Sequence, residues 1–255
     1  MIGERAANEK AATDSGRVYE EHAKLRQRFR HVDLCPNCQR CEAFMQAWYA
    51  RVVPGADVLD LGCQEGVSTA YYARLGARRV VGIDISPVAI EKARRLGELA
   101  PHGTEFHVRD AHHTGFADAS FDAVIGHAIL HHLDFAAAIA EIRRVLRPGG
   151  YAVFREPLRD NPAAKLIRVL TPRARTADEL PLSRAQIEWA DAQFSSSHHG
   201  YYGLASTGLG LATSLLAPAA SADNPVLRVA DRLDVGAART ALRYWMRTVA
   251  LVWRK

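Results

Sequence analysis

The stretch that most constrains the fold is Val58-Leu59-Asp60-Leu61-Gly62-Cys63-Gln64-Glu65-Gly66. Val58 to Leu61 reads as a short apolar strand carrying one acid, Asp60. A tight glycine turn follows, and Val67 to Leu75 reads as a helix with Ser68 and Thr69 in its first turn. Strand, glycine turn and helix start in this order make a nucleotide-sized site. Glycine lets backbone approach a ligand with no Cβ in between, and the N–H groups of the first helical turn point at whatever sits there. Asp60 precedes the glycines, where it would repel a pyrophosphate but welcome a ligand ammonium. The turn also lacks the full G-x-G-x-x-G spacing of a dinucleotide fold.

The unit recurs downstream. Arg79 to Asp84 is an apolar strand ending in an acid, and Ser86-Pro87 opens a helix from Val88 to Leu99. Asp84 falls 18 residues after Gly66, where a carboxylate accepts from both ribose hydroxyls of an adenosyl group; an acid there also caps helices. A third strand, Glu105 to Arg109, ends at Asp110-Ala111, and His112 and His113 follow in a loop read as solvent-facing. The fourth strand, Phe121 to Gly126, runs into His127-Ala128-Ile129-Leu130-His131-His132-Leu133. A helix from Asp134 to Leu146 stops at Arg147-Pro148-Gly149-Gly150, and Tyr151 to Arg155 is the fifth strand. With His198–Leu204 as a sixth strand and Thr248–Trp253 as an antiparallel last one, the pattern predicts an α/β fold. Its core is a doubly wound, seven-stranded, mainly parallel Rossmann-like sheet with helical cap and lid elements.

Over about a hundred residues this run resembles the class I S-adenosylmethionine (SAM) dependent methyltransferases, with Val58–Gly66 as their first motif. Gln64 stands where the family has its middle glycine. The resemblance implies SAM as cofactor and S-adenosylhomocysteine as product, bound by Asp60, Gly62, Cys63, Gln64 and Gly66. It places Asp84 and Ile85 at the ribose, Asp110 and the backbone of Ala111 at the adenine, and His127 beside the cofactor. An N-terminal helix, Val18 to Arg30, would cover the site, with Tyr19 either at the methionine carboxylate or simply pinning the helix. A general base, if one is used, is expected among His131, His132 and His127, although a His-His pair here has no fixed role in the family. The Asn/Asp-Pro-Pro-aromatic tetrad and the Pro-Cys pair of nucleic-acid methylases are missing, as is the acidic cluster of magnesium-dependent members.

The rest of the chain bounds this reading. Its 255 residues suffice for one large domain. The net charge of +5 comes from scattered Lys and Arg, which points to a solvated surface and not to a nucleic-acid partner. Met1 to Gly16 has no apolar export segment and reads as a frayed tail, no stretch is apolar enough to span a membrane, and the four cysteines are expected reduced; a cytoplasmic enzyme follows. In His31-x3-Cys35-Pro36-Asn37-Cys38-Gln39-Arg40-Cys41 a metal site competes with packing. Pro36 suits the first position of a helix on which Cys38, Cys41, Met45 and Trp48 share a stripe, so packing, and no metal, is the expectation.

The expected division is a tail and cap over 1–53, the SAM core over 54–156, an acceptor-pocket segment over 157–222, and a helix and last strand over 223–255. The third part contains a run without Asp, Glu, Lys or Arg, Ser195 to Ala222. Its segment His198 to Leu216 reads as a lid over a small, largely apolar or aromatic acceptor. Its rivals are core packing, or peripheral contact with a membrane or a second subunit. Methyl transfer to O, N or C of a small metabolite is the function this reading gives. A scaffold without activity, a nucleic-acid methylase and a nicotinamide dehydrogenase are the alternatives.

Overall fold

The computed structural model describes residues 2–98, 104–172 and 179–255. Strands β1 (Asp57–Leu61), β2 (Arg79–Asp84), β3 (Thr104–Val108), β4 (Phe121–His127) and β5 (Leu146–Pro157) pair in parallel. β7 (Thr248–Arg254) runs antiparallel between β5 and β6 (Ser196–Tyr202), giving the order β3-β2-β1-β4-β5-β7-β6. The chain moves outward from β1 through β2 to β3 and then returns to β4 on the other side. This reversal opens a crevice beyond the carboxyl ends of the strands.

Side chains alternate across the sheet with the period of two that a strand imposes. Leu59, Leu61, Phe154 and Leu251 face one layer, which holds α7 (Phe135–Val145) and α9 (Arg184–Asp191). Val58, Ile125, Val153 and Val252 face the other, with α4 (Pro36–Val52) and α5 (Val67–Arg74). Both faces are covered, so the central strands read as continuous apolar runs. Helix starts follow local chemistry: Ser86 accepts from the Ala89 N–H at the head of α6 (Pro87–Gly97), and Asp134 from the Ala137 N–H at the head of α7. Pro36 is indeed the first residue of α4, and Cys41 and Met45 on that helix are buried.

The structure departs from expectation at four places. The N-terminal segment is no frayed tail: Ile2–Ser15 forms α1, which packs on α2 (Arg17–Arg28) and α6. Its Ala, Glu and Lys favour helix, and tertiary partners hold it, because Asp14 accepts the Ser86 hydroxyl and Glu9 reaches His132. The helix predicted for Val18–Arg30 breaks at Phe29, and α3 (Arg30–Leu34) follows. Residues 185–194, unassigned from sequence, are mostly α9. Finally, the charge-free run is edge strand β6 followed by α10 (Ala205–Leu216), packed between α3 and α11 (Pro225–Ala237). A Cβ on Gly210 would lie 3.1 Å from the His31 carbonyl oxygen and the Val32 backbone, so glycine there permits the α3–α10 approach. His31 fastens the same contact, its ring against Thr213 Oγ1 at 3.0 Å and the Ala220 carbonyl at 3.0 Å.

Candidate functional site

A cleft of about 1000 Å³ lies beyond the carboxyl ends of β1, β2 and β4. Of the residues expected there, Gly62, Gln64, Asp84, Ile85, Asp110, Ala111, His127, His131 and His132 line it. Asp60, Cys63 and Gly66 do not reach its surface, and the side chain of Tyr19 lies outside the described residues.

The glycine turn is shaped by the sheet beneath it. The N–H groups of Gly62 and Cys63 both donate to the Ile83 carbonyl, at 2.9 Å each, tying the turn to β2. Gly62 and Gly66 have φ of 74° and 83°, and a Cβ would strike Ile129 at 2.9 Å in the first case and Phe106 at 2.8 Å in the second. These glycines therefore serve backbone conformation and packing more than ligand approach. Gln64, in place of a glycine, also takes a left-handed conformation (φ 49°), as does Ala128 (φ 51°) just after β4. Each costs about 1–2 kcal/mol for a residue with a Cβ, and both line the cleft. Cys63 is buried against Ile90, Ala93 and Phe106.

Asp84 closes the turn from the β2 side. One carboxylate oxygen accepts the Gln64 N–H at 3.0 Å and the other the Ser86 N–H at 2.9 Å. Burial pushes its carboxyl up, against the pull of those two N–H groups. Each oxygen retains acceptor capacity, and the residue faces the cleft. Asp60 lies deeper, 2% exposed, and accepts the Thr69 hydroxyl at 2.6 Å. Burial pushes its pKa up to about 7, so it anchors the first turns of α5 under the loop and presents no carboxylate to the cleft surface.

Asp110 holds the far wall. Its Oδ1 accepts from the His112 N–H at 2.8 Å and contacts His112 Nδ1 at 2.7 Å. His112 Nε2 accepts the Asp134 N–H at 2.9 Å, so the proton sits on Nδ1 and is donated to Asp110. His112 is thus buried and bridges two loops, contrary to its expected solvent-facing place.

The three histidines after β4 have different surroundings. His127 Nε2 lies 2.8 Å from the Tyr49 hydroxyl and 3.1 Å from that of Tyr72. Burial drives its pKa down to about 4, so it is neutral. His131 is buried, with Nδ1 2.6 Å from Glu156 Oε2. Glu156 Oε1 accepts the N–H groups of Ile129 and Leu130 at 2.9 Å each. That carboxylate is 1% exposed and fully engaged, which fixes the imidazole in place with Nδ1–H as donor. His132 Nδ1 lies 2.9 Å from Glu9 of α1, and its ring lies against that of His131, tilted by 40° with centroids 4.1 Å apart.

Sequence reasoning missed Glu156, Glu9, Glu179, Tyr49 and Tyr72. Only Glu156 carried a signal, an acid closing an apolar strand as Asp60 and Asp84 do. The walls beyond the glycine turn come from α2, α3, α8 (Pro162–Leu170) and Glu179, with His22, Arg26, Asp33, Ile167 and Arg247 among them. No described residue of 196–216 lines the cleft, whereas His22 and Leu25 of the N-terminal helical cap and Ala164, Ile167 and Glu179 of the expected acceptor-pocket segment do.

Residues 59–154 match a family described as a methyltransferase domain. An O-methyltransferase of Penicillium expansum is 36% identical over 135 residues, 49% of this chain and 49% of that protein. The dimethylglycine N-methyltransferase of Parasynechococcus marenigrum is 36% identical over 142 residues, 54% of this chain and 50% of the relative. The matches thus span about half the length of these relatives. Among solved structures, a SAM-dependent methyltransferase from Mesorhizobium loti aligns with a TM-score of 0.57 at 19% identity, covering 83% of this chain and 98% of that one. The cyclase SpnF aligns at 0.55 and 20% identity over 86% and 82% of the two chains. At such identities the likeness is one of fold, and the fold alone does not fix the reaction.

Proposed function

We propose, from the premise that this chain carries a class I SAM-dependent methyltransferase domain, that it methylates a hydroxyl oxygen of a small organic acceptor bound in the cleft. The residues present fit the cofactor. The unused acceptor capacity of Asp84 suits two ribose hydroxyls, Ile85 and Ala111 flank an adenine, and the Asp110 carboxylate suits its amino group. The backbone of Gly62 and Gln64 would flank the methionine part. SAM, when bound, supplies a methyl made electrophilic by its sulfonium, which leaves the protein to align the acceptor and remove its proton.

The observation that carries the proposal is the His131–Glu156 pair, set in the same cleft as Asp84 and the glycine turn. Glu156 holds the proton on Nδ1, so the lone pair of Nε2 is the proton acceptor for a hydroxyl. His127 is less suited: two tyrosine hydroxyls cover its Nε2 and burial depresses its pKa, so it is a positioning group. The test is turnover of a panel of hydroxylated metabolites with methyl-labelled SAM. His131→Ala should keep SAM affinity by calorimetry and lose about 10²–10⁴-fold in turnover. Absent SAM binding in the wild type, or full turnover in the variant, would refute the proposal.

A further inference from the structure

His131 and His132 end a short turn after β4, and the fold brings Glu179 to them from the segment before α9. One ring nitrogen of each histidine and one carboxylate oxygen of Glu179 lie within 4.8 Å of one another, and His131 Nε2 is 3.9 Å from Glu179 Oε1. Nitrogen and oxygen ligands at about 2.0–2.2 Å from one ion stand about 3–4 Å apart, so small side-chain rotations close the set. Nδ1 of His131 is already oriented by Glu156 at 2.6 Å, and Glu9 Oε2 lies 2.9 Å from Nδ1 of His132. A carboxylate on one ring nitrogen fixes the tautomer and makes the other nitrogen a better ligand. Three carboxylates around two imidazoles also make a local excess of negative charge.

We propose that His131, His132 and Glu179 bind a divalent transition-metal ion in the acceptor half of the cleft. Two imidazoles and one carboxylate suit zinc, manganese or iron better than magnesium, and the cleft side leaves open positions for acceptor oxygens. The inference rests on the proposed reading of this cleft as an acceptor site. In the ion-free protein His131 is the base proposed above; with the ion bound, its Nε2 is a ligand and the proton leaves the coordinated hydroxyl directly. A hydroxyl coordinated to the ion ionises near neutral pH, releasing its proton to water. Its oxygen lone pair then forms the bond to the methyl carbon while the sulfur–carbon pair returns to sulfur, so no oxidant or reductant is needed. No spacing in the chain pointed to this site, since the metal question there concerned cysteines. The sulfurs of Cys35 and Cys38 do meet, both turned to the Val32 carbonyl at 3.8 and 3.0 Å, but Cys41 packs in the core, and no group of three ligating side chains among the described residues includes these cysteines.

The test uses Co²⁺ as probe on the full, metal-free chain and needs no acceptor. One equivalent should bind with the visible absorption of a four- or five-coordinate nitrogen–oxygen site and without a thiolate charge-transfer band. His132→Ala and Glu179→Gln should each weaken binding by more than the ~10–100-fold that losing a mere orienting partner costs, with SAM affinity and the melting curve close to wild type. His132→Asn serves if the alanine variant melts early. No stoichiometric binding, a thiolate band, or undiminished binding in the two variants combined overturns the site. Loss of SAM binding or turnover with cobalt binding intact would instead strike the methyltransferase reading.

Discussion

Glu156→Gln is the sharpest perturbation of the cleft. The native carboxylate, with a side chain fully shielded from solvent, accepts three hydrogen bonds: from Ile129 N–H, Leu130 N–H and His131 Nδ1–H. Glutamine keeps one carbonyl oxygen for the two backbone N–H groups, but its amide must then face His131 with a donor. The imidazole relieves that clash by moving its proton to Nε2, the wrong tautomer for taking a proton or ligating an ion. The structural cost is one charge-assisted bond, about 1.5–3 kcal/mol. The functional cost is that of losing a positioned base, about 10²–10⁴-fold in turnover. Labelled methyl transfer reads the second, denaturant melts read the first, and ¹⁵N NMR of His131 reports the tautomer directly. Calorimetry should show SAM affinity unchanged, because Glu156 belongs to the acceptor side. Wild-type turnover together with a proton still on Nδ1 would refute the reasoning.

Three further outcomes follow from the geometry. Asp84→Ala removes the acceptor of two backbone N–H groups and the proposed ribose partner, with bonds worth ~1.5–3 kcal/mol each; SAM affinity should fall at least tenfold, and unchanged calorimetry would take Asp84 out of the site. Glu141 is buried, which works against its charge, yet Arg144 and both the hydroxyl and N–H of Thr114 bring its pKa down to about 2. Its folded pKa lies below the unfolded one, so Glu141→Gln should cost about 1–2 kcal/mol at neutral pH after allowance for solvent around Arg144. That difference should shrink as pH falls from about 4.5 towards 2, and a pH-independent difference in melts would show that the ion pair does not act this way. Gly210→Val overpacks the α3–α10 contact and should destabilise by about 1–3 kcal/mol with SAM affinity retained in the folded protein; an unaltered melt with lost turnover would restore the lid reading of that segment.

The sheet and the half of the cleft proposed to hold SAM were legible because their determinants are local. An apolar run closed by an acid, a glycine turn and a helix start all lie within a few residues, so Asp84, Gly62 and Asp110 could be placed by spacing. Even here burial was not legible: nothing in the sequence separates Asp84, which faces the cleft, from Asp60, which is shut beneath the turn against Thr69. The charge-free run shows the limit of composition as a guide. A segment without charge is one that is covered, and composition does not say whether ligand or protein covers it; α3 and α11 do.

The acceptor half was illegible for a different reason. Glu9, His131, Glu156 and Glu179 come from a terminal helix, a short turn, a strand end and a loop, and only the tertiary fold makes them neighbours. No spacing rule reaches across such separations. On the proposed reading, the reaction is decided where the sequence is silent: the core would bring the cofactor to the strand ends, while the carboxylates around His131 and His132 determine what those imidazoles can do. With Nδ1 of His131 held by Glu156 and Nδ1 of His132 beside Glu9, the chemistry of the cleft turns on the nitrogens left to face it. Whether a proton or a metal ion meets them sets whether the acceptor is activated by base or by coordination. The cobalt titration separates the two, because a base needs only His131, whereas an ion needs His132 and Glu179 as well.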